Sequence, residues 1–482
     1  MASSVNTSTW PTLPQEIVNL LVQEVANPYR NNPGPLQLDT LKACSLISRS
    51  FHAESRRHIF SSIEFRVDRT AQRRAARLAK VLEHKNSDNL LSVIRAVKLV
   101  IDVRVSSSED ELPRYHFDRL VRKLGLSENN LLRVLRILNR APLESFAIIA
   151  QGGYVNWSAN GSPTIAAALR QICSNQSLKS LRIVNVMNIE QSMVVDAFSS
   201  GNLRELALCN VNIKRMDEVS APTHESGPRS FGKLEKLEMS LITYSSLFSS
   251  LQSSFPPSSS SPNTFSLNLS TLRSLDILLP KVHPALDILW QLMLGTAQSL
   301  ETLVLQDNPW PASTLSPDGP IDLSCLTSLQ TLKFSACALN SGVDLASRQA
   351  TLANLITSAT SSITIQSIVM QFYVKSLPHT RNADLNTWKT IMPGSEWSLL
   401  DASLARPALA NLRRIIIDVN LFYEDPSIHS LSSEIMESSI DIHAILPSIS
   451  ALPSINVTAN LKSIFSSEPL LTYKSYYYHA NG

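Results

Sequence analysis

The sequence predicts an α/β chain in which three short N-terminal helices precede a long array of repeated strand-and-helix units. Three observations predict it: an amphipathic helical pattern starting near Leu13, a second helical stretch running from Leu41 to Phe60, and a six-residue apolar pattern that returns along the chain from Ile94 onward. The composition, 44% hydrophobic and 17% charged, is that of a folded chain with ample apolar surface to bury.

The first element reads Leu13-Pro14-Gln15-Glu16-Ile17-Val18-Asn19-Leu20-Leu21-Val22-Gln23-Glu24-Val25. Thr12 with Gln15 fits a capping box, Pro14 suits a first turn, and Ile17, Leu20, Leu21 and Val25 fall on one helical stripe. Asn27 to Gly34, rich in proline and asparagine, breaks the helix into a loop. Two further short helices follow, with Asp39 or Thr40 expected to cap the first and Phe51, Ile59 and Phe60 giving bulk to the second.

These residues resemble the F-box, particularly the fungal F-box-like group. The family pattern is met by Leu13-Pro14, Glu16-Ile17, Leu41, Cys44-Ser45-Leu46, Arg49, Phe51, Arg56 and Ile59-Phe60, with a longer loop between its halves than the compact motif has. The resemblance covers residues 13–63. It implies docking on the Skp adaptor of a cullin-RING ubiquitin ligase of the SCF type, through Leu13, Pro14, Glu16, Ile17, Leu20, Leu21, Cys44, Leu46, Arg49 and Phe51. Size supports a partner independently: about 50 residues in three short helices bury little apolar surface alone, so outward-facing Leu13, Pro14, Ile17 and Leu46 gain by packing on another protein.

Residues 64–92 read as a linker helix with a basic face, best explained as a solvated surface. The recurring pattern then appears at Ile94-x-x-Val97-x-Leu99, Leu143-x-x-Phe146-x-Ile148, Leu178-x-x-Leu181-x-Ile183, Leu203-x-x-Leu206-x-Leu208 and Leu234-x-x-Leu237-x-Met239. It continues at Leu272-x-x-Leu275-x-Ile277, Leu300-x-x-Leu303-x-Leu305, Leu329-x-x-Leu332-x-Phe334, Ile365-x-x-Ile368-x-Met370, Leu412-x-x-Ile415-x-Ile417 and Leu452-x-x-Ile455-x-Val457. Helical stretches such as Ile165 to Cys173, Leu286 to Leu294 and Leu352 to Thr357 lie between copies. This is the signature of a leucine-rich repeat, here at irregular spacings of roughly 25 to 50 residues, and it predicts an irregular leucine-rich-repeat-like solenoid of parallel strands and helices over residues 93–470. The competing fold, a doubly wound sheet, would carry a glycine-rich phosphate loop; neither G-x-G-x-x-G nor G-x-x-x-x-G-K occurs, and glycine totals 13.

Strand alternation places Arg182, Glu205, Lys236, Glu238, Asp276, Lys333, Arg414 and Asp418 on the concave face, with Thr302 and Gln306 among them. Both signs of charge are present, which fits a protein substrate better than nucleic acid. Residues 1–12 and 471–482 read as tails, and 253–263, rich in serine and proline, as a mobile loop.

Bulk properties exclude more than they identify. The net charge of +3, from 43 basic and 40 acidic residues, points to neither nucleic acid nor an anionic membrane. No secretion signal or membrane-length apolar run is visible, so the expected location is cytoplasmic, nuclear or both. Five cysteines without C-x-x-C spacing read as small buried hydrophobes, and no metal, cofactor or catalytic motif emerges. The expected function is therefore a non-catalytic substrate-recognition subunit, binding a Skp-type adaptor, through it a cullin, and an unidentified protein target. The other reading is a leucine-rich-repeat scaffold whose F-box is vestigial.

Overall fold

Twelve parallel strands form one sheet, and their spatial order is their order in the chain. The computed structural model describes residues 14–26, 35–68, 70–84, 88–103, 114–116, 128–157, 163–199, 201–214, 233–240, 243, 269–278, 290, 292–306, 322–338, 342–359, 361–375, 395–423 and 445–465.

Three helices come first: α1 (Gln15–Ala26), α2 (Pro35–Cys44) and α3 (Arg49–Ser61). Val18, Val22 and Leu41 are buried between them, with Val25, Ala26, Phe51 and Ile59 packed alongside, in a cluster separate from the main core. Ser48 caps α3 by accepting a hydrogen bond from the Phe51 amide at 3.3 Å. The expected cap at Asp39 or Thr40 is not used: α2 starts at Pro35, a favoured first-turn residue, so both lie inside the helix, where Asp39 pairs with Lys42 at 2.9 Å.

The sheet runs β1 (Ser62–Val67), β2 (Ala96–Asp102), β3 (Ser145–Gln151), β4 (Ser180–Val184), β5 (Glu205–Cys209), β6 (Lys236–Ser240), β7 (Ser274–Leu278), β8 (Thr302–Gln306), β9 (Thr331–Ala338), β10 (Ser367–Lys375), β11 (Arg414–Tyr423) and β12 (Asn456–Phe465). Register stacks like upon like. Val97, Phe146, Leu181, Leu206, Leu237, Leu275, Leu303, Leu332, Ile368 and Ile415 are successive partners, and the residues two further on form a second such row from Leu99 to Ile417. Because side chains alternate along a strand, both rows enter the same core, and all these residues are buried.

Helices close that core. Among them are α4 (Ala71–Leu82), the short α5 (Asp88–Leu91), α6 (Glu128–Leu138), α7 (Pro163–Cys173), α8 (Gln191–Ser199), α9 (Gly342–Thr357), α10 (Ser395–Leu404) and α11 (Pro447–Ser450). Ala75 and Leu82, Leu131 and Leu135, Leu169, Val194, Leu352 and Trp397 join the two strand rows in one continuous cluster. Among the described residues, the opposite face of the sheet holds a small apolar cluster, Val184, Ala207 and Cys209 beside Ile149, drawn entirely from strands. The helices named above pack on the other face.

Two polar devices hold the turns. Asn185 and Asn210 adopt left-handed backbone, with φ of 59° and 53°, and the Asn210 side-chain amide donates to the Asn185 side-chain oxygen at 2.9 Å while that of Asn185 donates to the Ala150 carbonyl at 3.0 Å. Asp401, buried in α10, accepts from the Ser448 and Ile449 amides at 2.9 and 3.0 Å and so anchors the start of α11.

Two further expectations need correcting. Residues 64–92 are not a linker: the sheet begins at Ser62, and α4 buries Ala71, Ala75, Ala79 and Leu82 in the core. The repeat signal was present as Phe60-x-x-Ile63-x-Phe65, but Phe60 also lies in the last turn of α3, so the helical pattern concealed it. In the last unit Val457 and Ala459 pair with Ile415 and Ile417, so the frame sits two residues beyond Leu452-x-x-Ile455-x-Val457. A shift of two keeps the same face inward, which is why the motif still looked correct. The proposed capping box at Thr12, the loop from Asn27 to Gly34, the segment 253–263 and both tails lie outside the described residues.

Phe334 belongs to the second row and is fully buried. Phe334→Ala is expected to lower unfolding stability by about 3–5 kcal/mol in urea titrations, whereas Thr331→Ala in the same strand, half-exposed, should stay within about 0.5 kcal/mol.

Candidate functional site

Two surfaces carry the residues singled out from the sequence. The first is the outer side of the three-helix unit. Val18 and Val22 occupy its interior, which turns Ile17, Leu20 and Leu21 outward at 42%, 61% and 48% exposure. The expected stripe therefore splits: Val25 faces in, the other three face out. At the turn between α2 and α3, Leu46 and Ile47 stand at 86% and 65% exposure. Five of the nine large hydrophobic residues exposed among the described residues thus lie between Ile17 and Ile47. Such concentration marks an apolar patch, not scattered surface side chains.

The other residues assigned to this surface divide. Pro14, Glu16 and Arg49 are exposed, and the Pro14 carbonyl accepts the Ile17 and Val18 amides at 3.0 and 3.2 Å, opening α1. Cys44 is half-buried, and half-buried Phe51 packs against the Val18–Val22–Leu41 interior, so its bulk serves the unit's own core. Leu13 lies outside the described residues. Ile47 was overlooked, although an apolar pair at a helix–helix turn is a readable signal.

The second surface is the face of the sheet away from the described helices. Arg182, Glu238, Asp276 and Lys333 lie in one cross-strand row, separated by Ala207 and Val304. Glu205, Lys236 and Arg414 belong to the row before it and Asp418 to the row after. They are not uniformly solvated. Arg182 forms a two-pronged ion pair with Glu238, at 2.8 and 3.1 Å, across the intervening strand β5. Asp418, only 7% exposed, accepts from Asn460 at 2.8 Å and Gln371 at 3.4 Å. Ser180 donates to Glu205 at 3.1 Å. Lys236 and Arg414 are exposed and Lys333 is half-buried.

Glu238 and Asp276 are register partners at the floor of a shallow depression also lined by Cys209, Asn210, Leu278 and Gln306. Burial pushes the Glu238 carboxyl up, but the Cys209 thiol, which donates to it at 3.0 Å, and the Arg182 guanidinium outweigh that and keep it ionised. Burial likewise pushes the Cys209 thiol up, and the Glu238 charge adds to the effect. Cys209 is therefore a hydrogen-bond donor on the open face, while Cys173 is fully buried in the core and Cys44 and Cys325 are half-buried. Asp276 has less compensation: burial raises its carboxyl to about 6, against a Gln306 hydrogen bond at 2.7 Å. A carboxyl raised toward neutral pH on the face of a sheet marks a candidate site, though structural networks raise carboxyls too.

Among the described residues no group of three or more potential metal ligands comes together, and no helix is long and apolar enough to cross a membrane. No protein-family model matches the chain, and no curated protein matches it.

The Asp276 carboxyl binds its proton more tightly folded, near 6, than at its ordinary value of 3.8. Its contribution to stability is then complete below about 3.8 and lost as pH rises through about 6. Asp276→Asn, which can keep the Gln306 contact, should match the wild type in urea unfolding at pH 4 and exceed it at pH 7.5 by up to about 3 kcal/mol. Equal stabilities at pH 7.5 would show that the carboxyl is not strained.

Proposed function

We propose that this chain is the substrate-recognition subunit of an SCF-type cullin-RING ubiquitin ligase, its N-terminal F-box docking on a Skp adaptor and its leucine-rich-repeat solenoid receiving the target protein. The observation that carries the reading is the outward set of Ile17, Leu20, Leu21, Leu46 and Ile47 on a unit whose interior, among the described residues, holds three buried apolar side chains. A small unit of this kind leaves apolar area that a partner would remove from water, at about 25 cal/mol per Å². The resemblance of residues 13–63 to the F-box pattern points to a Skp adaptor as that partner.

Strand order supports the solenoid. A doubly wound sheet reverses direction at a switch point, whereas here every strand adds to the same growing edge. Helices are about 10 Å wide and strands about 4.8 Å apart, so a sheet lined with helices on one face curves with the strand face inside. The open-face residues Arg182, Glu205, Lys236, Glu238, Asp276, Lys333, Arg414 and Asp418 would then line the concave surface that meets the target. In this role the chain contributes proximity and orientation, and partner subunits transfer ubiquitin.

One observation favours the scaffold reading: α3 passes into β1 without a break, as a segment that merely caps the array would. Capture of the full-length chain by purified Skp adaptor separates the two. The wild type should bind, and Leu46→Asp with Ile17→Asp should weaken binding by at least about thirtyfold, the scale of losing an apolar hot spot. Both positions are exposed, so the variant's unfolding midpoint should not move. Absence of capture by the wild type would leave the scaffold reading in possession.

A further inference from the structure

Arg73, Arg77 and Lys80 stand at intervals of four and three residues on the side of α4 opposite its buried stripe of Ala71, Ala75, Ala79 and Leu82. Glu83, just beyond the end of α4, is bound by Arg133 of α6 through both carboxylate oxygens, which fixes the two helices side by side. Arg136, one turn beyond Arg133, is also exposed. Arg74 is the remaining cation of α4, and it is held by Asp68 at 2.7 Å. Among the described residues, then, Asp68 and Glu83 are already engaged, and Arg73, Arg77, Lys80 and Arg136 have no carboxylate partner.

Helices later in the array carry fewer cations. The next helix along the array, α7, has a single cation, Arg170, and it is paired with Glu190 and lies 3.9 Å from Asp196. Helix α8 carries Asp196 and no cation, and α10 carries no cation either. Four cations without a carboxylate partner thus stand on the outer side of two neighbouring helices.

We propose that the outer face of α4 and α6 is a docking surface for an acidic polypeptide segment. Size and chemistry select that occupant. From Arg73 to Lys80 the cations span about 10 Å of helix, enough for a few carboxylates but short of the six to ten phosphate contacts of a typical nucleic-acid site. Neither helix contains an aromatic residue on which a base could stack. A membrane-surface helix turns an apolar face outward, whereas here the apolar faces of both helices are buried in the core. One apolar side chain, Val81 at 52% exposure, sits beside Lys80 and Arg77 and gives an acidic peptide a foothold that pure charge would lack. Three of the four cations are arginines, whose planar forks match carboxylates in pairs.

The surface is distinct from the N-terminal apolar patch and does not rest on the ligase reading. The test uses the full-length chain at about 0.15 M salt, where only clustered charges retain attraction. The probes are a fluorescent peptide of repeated Glu-Glu-Leu, its Gln-Gln-Leu counterpart, an oligothymidylate, and vesicles of phosphatidylserine with phosphatidylcholine. Saturable binding of the acidic peptide is expected. It should fall by at least about tenfold when Arg73→Glu, Arg77→Glu and Lys80→Glu are combined, and by a smaller factor in Arg136→Glu alone. Leu46→Asp should bind this peptide as the wild type does, and circular dichroism should report unchanged folding in every variant. Equal binding of the two peptides, retention of binding in the triple variant, or tighter binding of the oligonucleotide or the vesicles would overturn the proposal.

Discussion

The rest of this molecule depends on one constraint: every strand enters the sheet at the same point of its unit. Parallel pairing in that register stacks apolar side chains two positions apart into two continuous rows, and a slip of one residue in any strand would turn its whole apolar set toward water. The penalty holds the array together without regular spacing. Helix-bearing connections of very different length can be accommodated, because the strands and not the connections set the repeat. Charges at the strand entrances follow the same register, with Lys179 and Arg95 flanking Glu144, Arg204 facing Glu235 and Arg273 facing Glu301. Exposed pairs of this kind contribute little stability each, but opposite signs on adjacent rungs disfavour wrong pairings.

The same pleat decides the chemistry of the open face. Once alternate residues are committed to the core, the remainder stand in rows about 4.8 Å apart, close enough for each side chain to set its neighbours' electrostatics. Arg182 reaches over Ala207 to Glu238 because Ala207 is small, and the thiol of Cys209 fills the remaining acceptor need. Asp276, one rung further, finds an amide in place of a cation. Two carboxyl groups side by side on the sheet thus shift in opposite directions, Glu238 below its ordinary value and Asp276 above.

Separation of cores explains the other surfaces. The three N-terminal helices meet in their own small interior, so they cannot hide all the apolar residues they carry. Helices α4 and α6, by contrast, sink their apolar faces into the long core and leave outside a mainly charged side with Val81 beside the cations. Apolar, mixed-charge and basic surfaces therefore occupy different parts of the chain, each as a consequence of what the adjoining core had room to bury.

The repeat pattern was legible because it is local: Leu-x-x-Leu-x-Leu states in six residues which side chains point inward, and ten of its eleven copies were read in the frame the sheet uses. The three helices were legible for the same reason. What escaped were properties of neighbours distant in sequence. Composition could not tell whether α1 buries Val18 and Val22 or Ile17 and Leu21, since both sets are apolar at helical spacing and only the position of Leu41 and Phe51 decides. Nor could it show that Asn185 and Asn210, each two residues past a core position, link consecutive turns, or that the basic helix α4 lies against α6. The sequence by itself determined which residues alternate and therefore which face of each strand is apolar. Tertiary structure decided which charges meet, which are desolvated and which apolar side chains remain outside, because those depend on distances between units that no local pattern encodes.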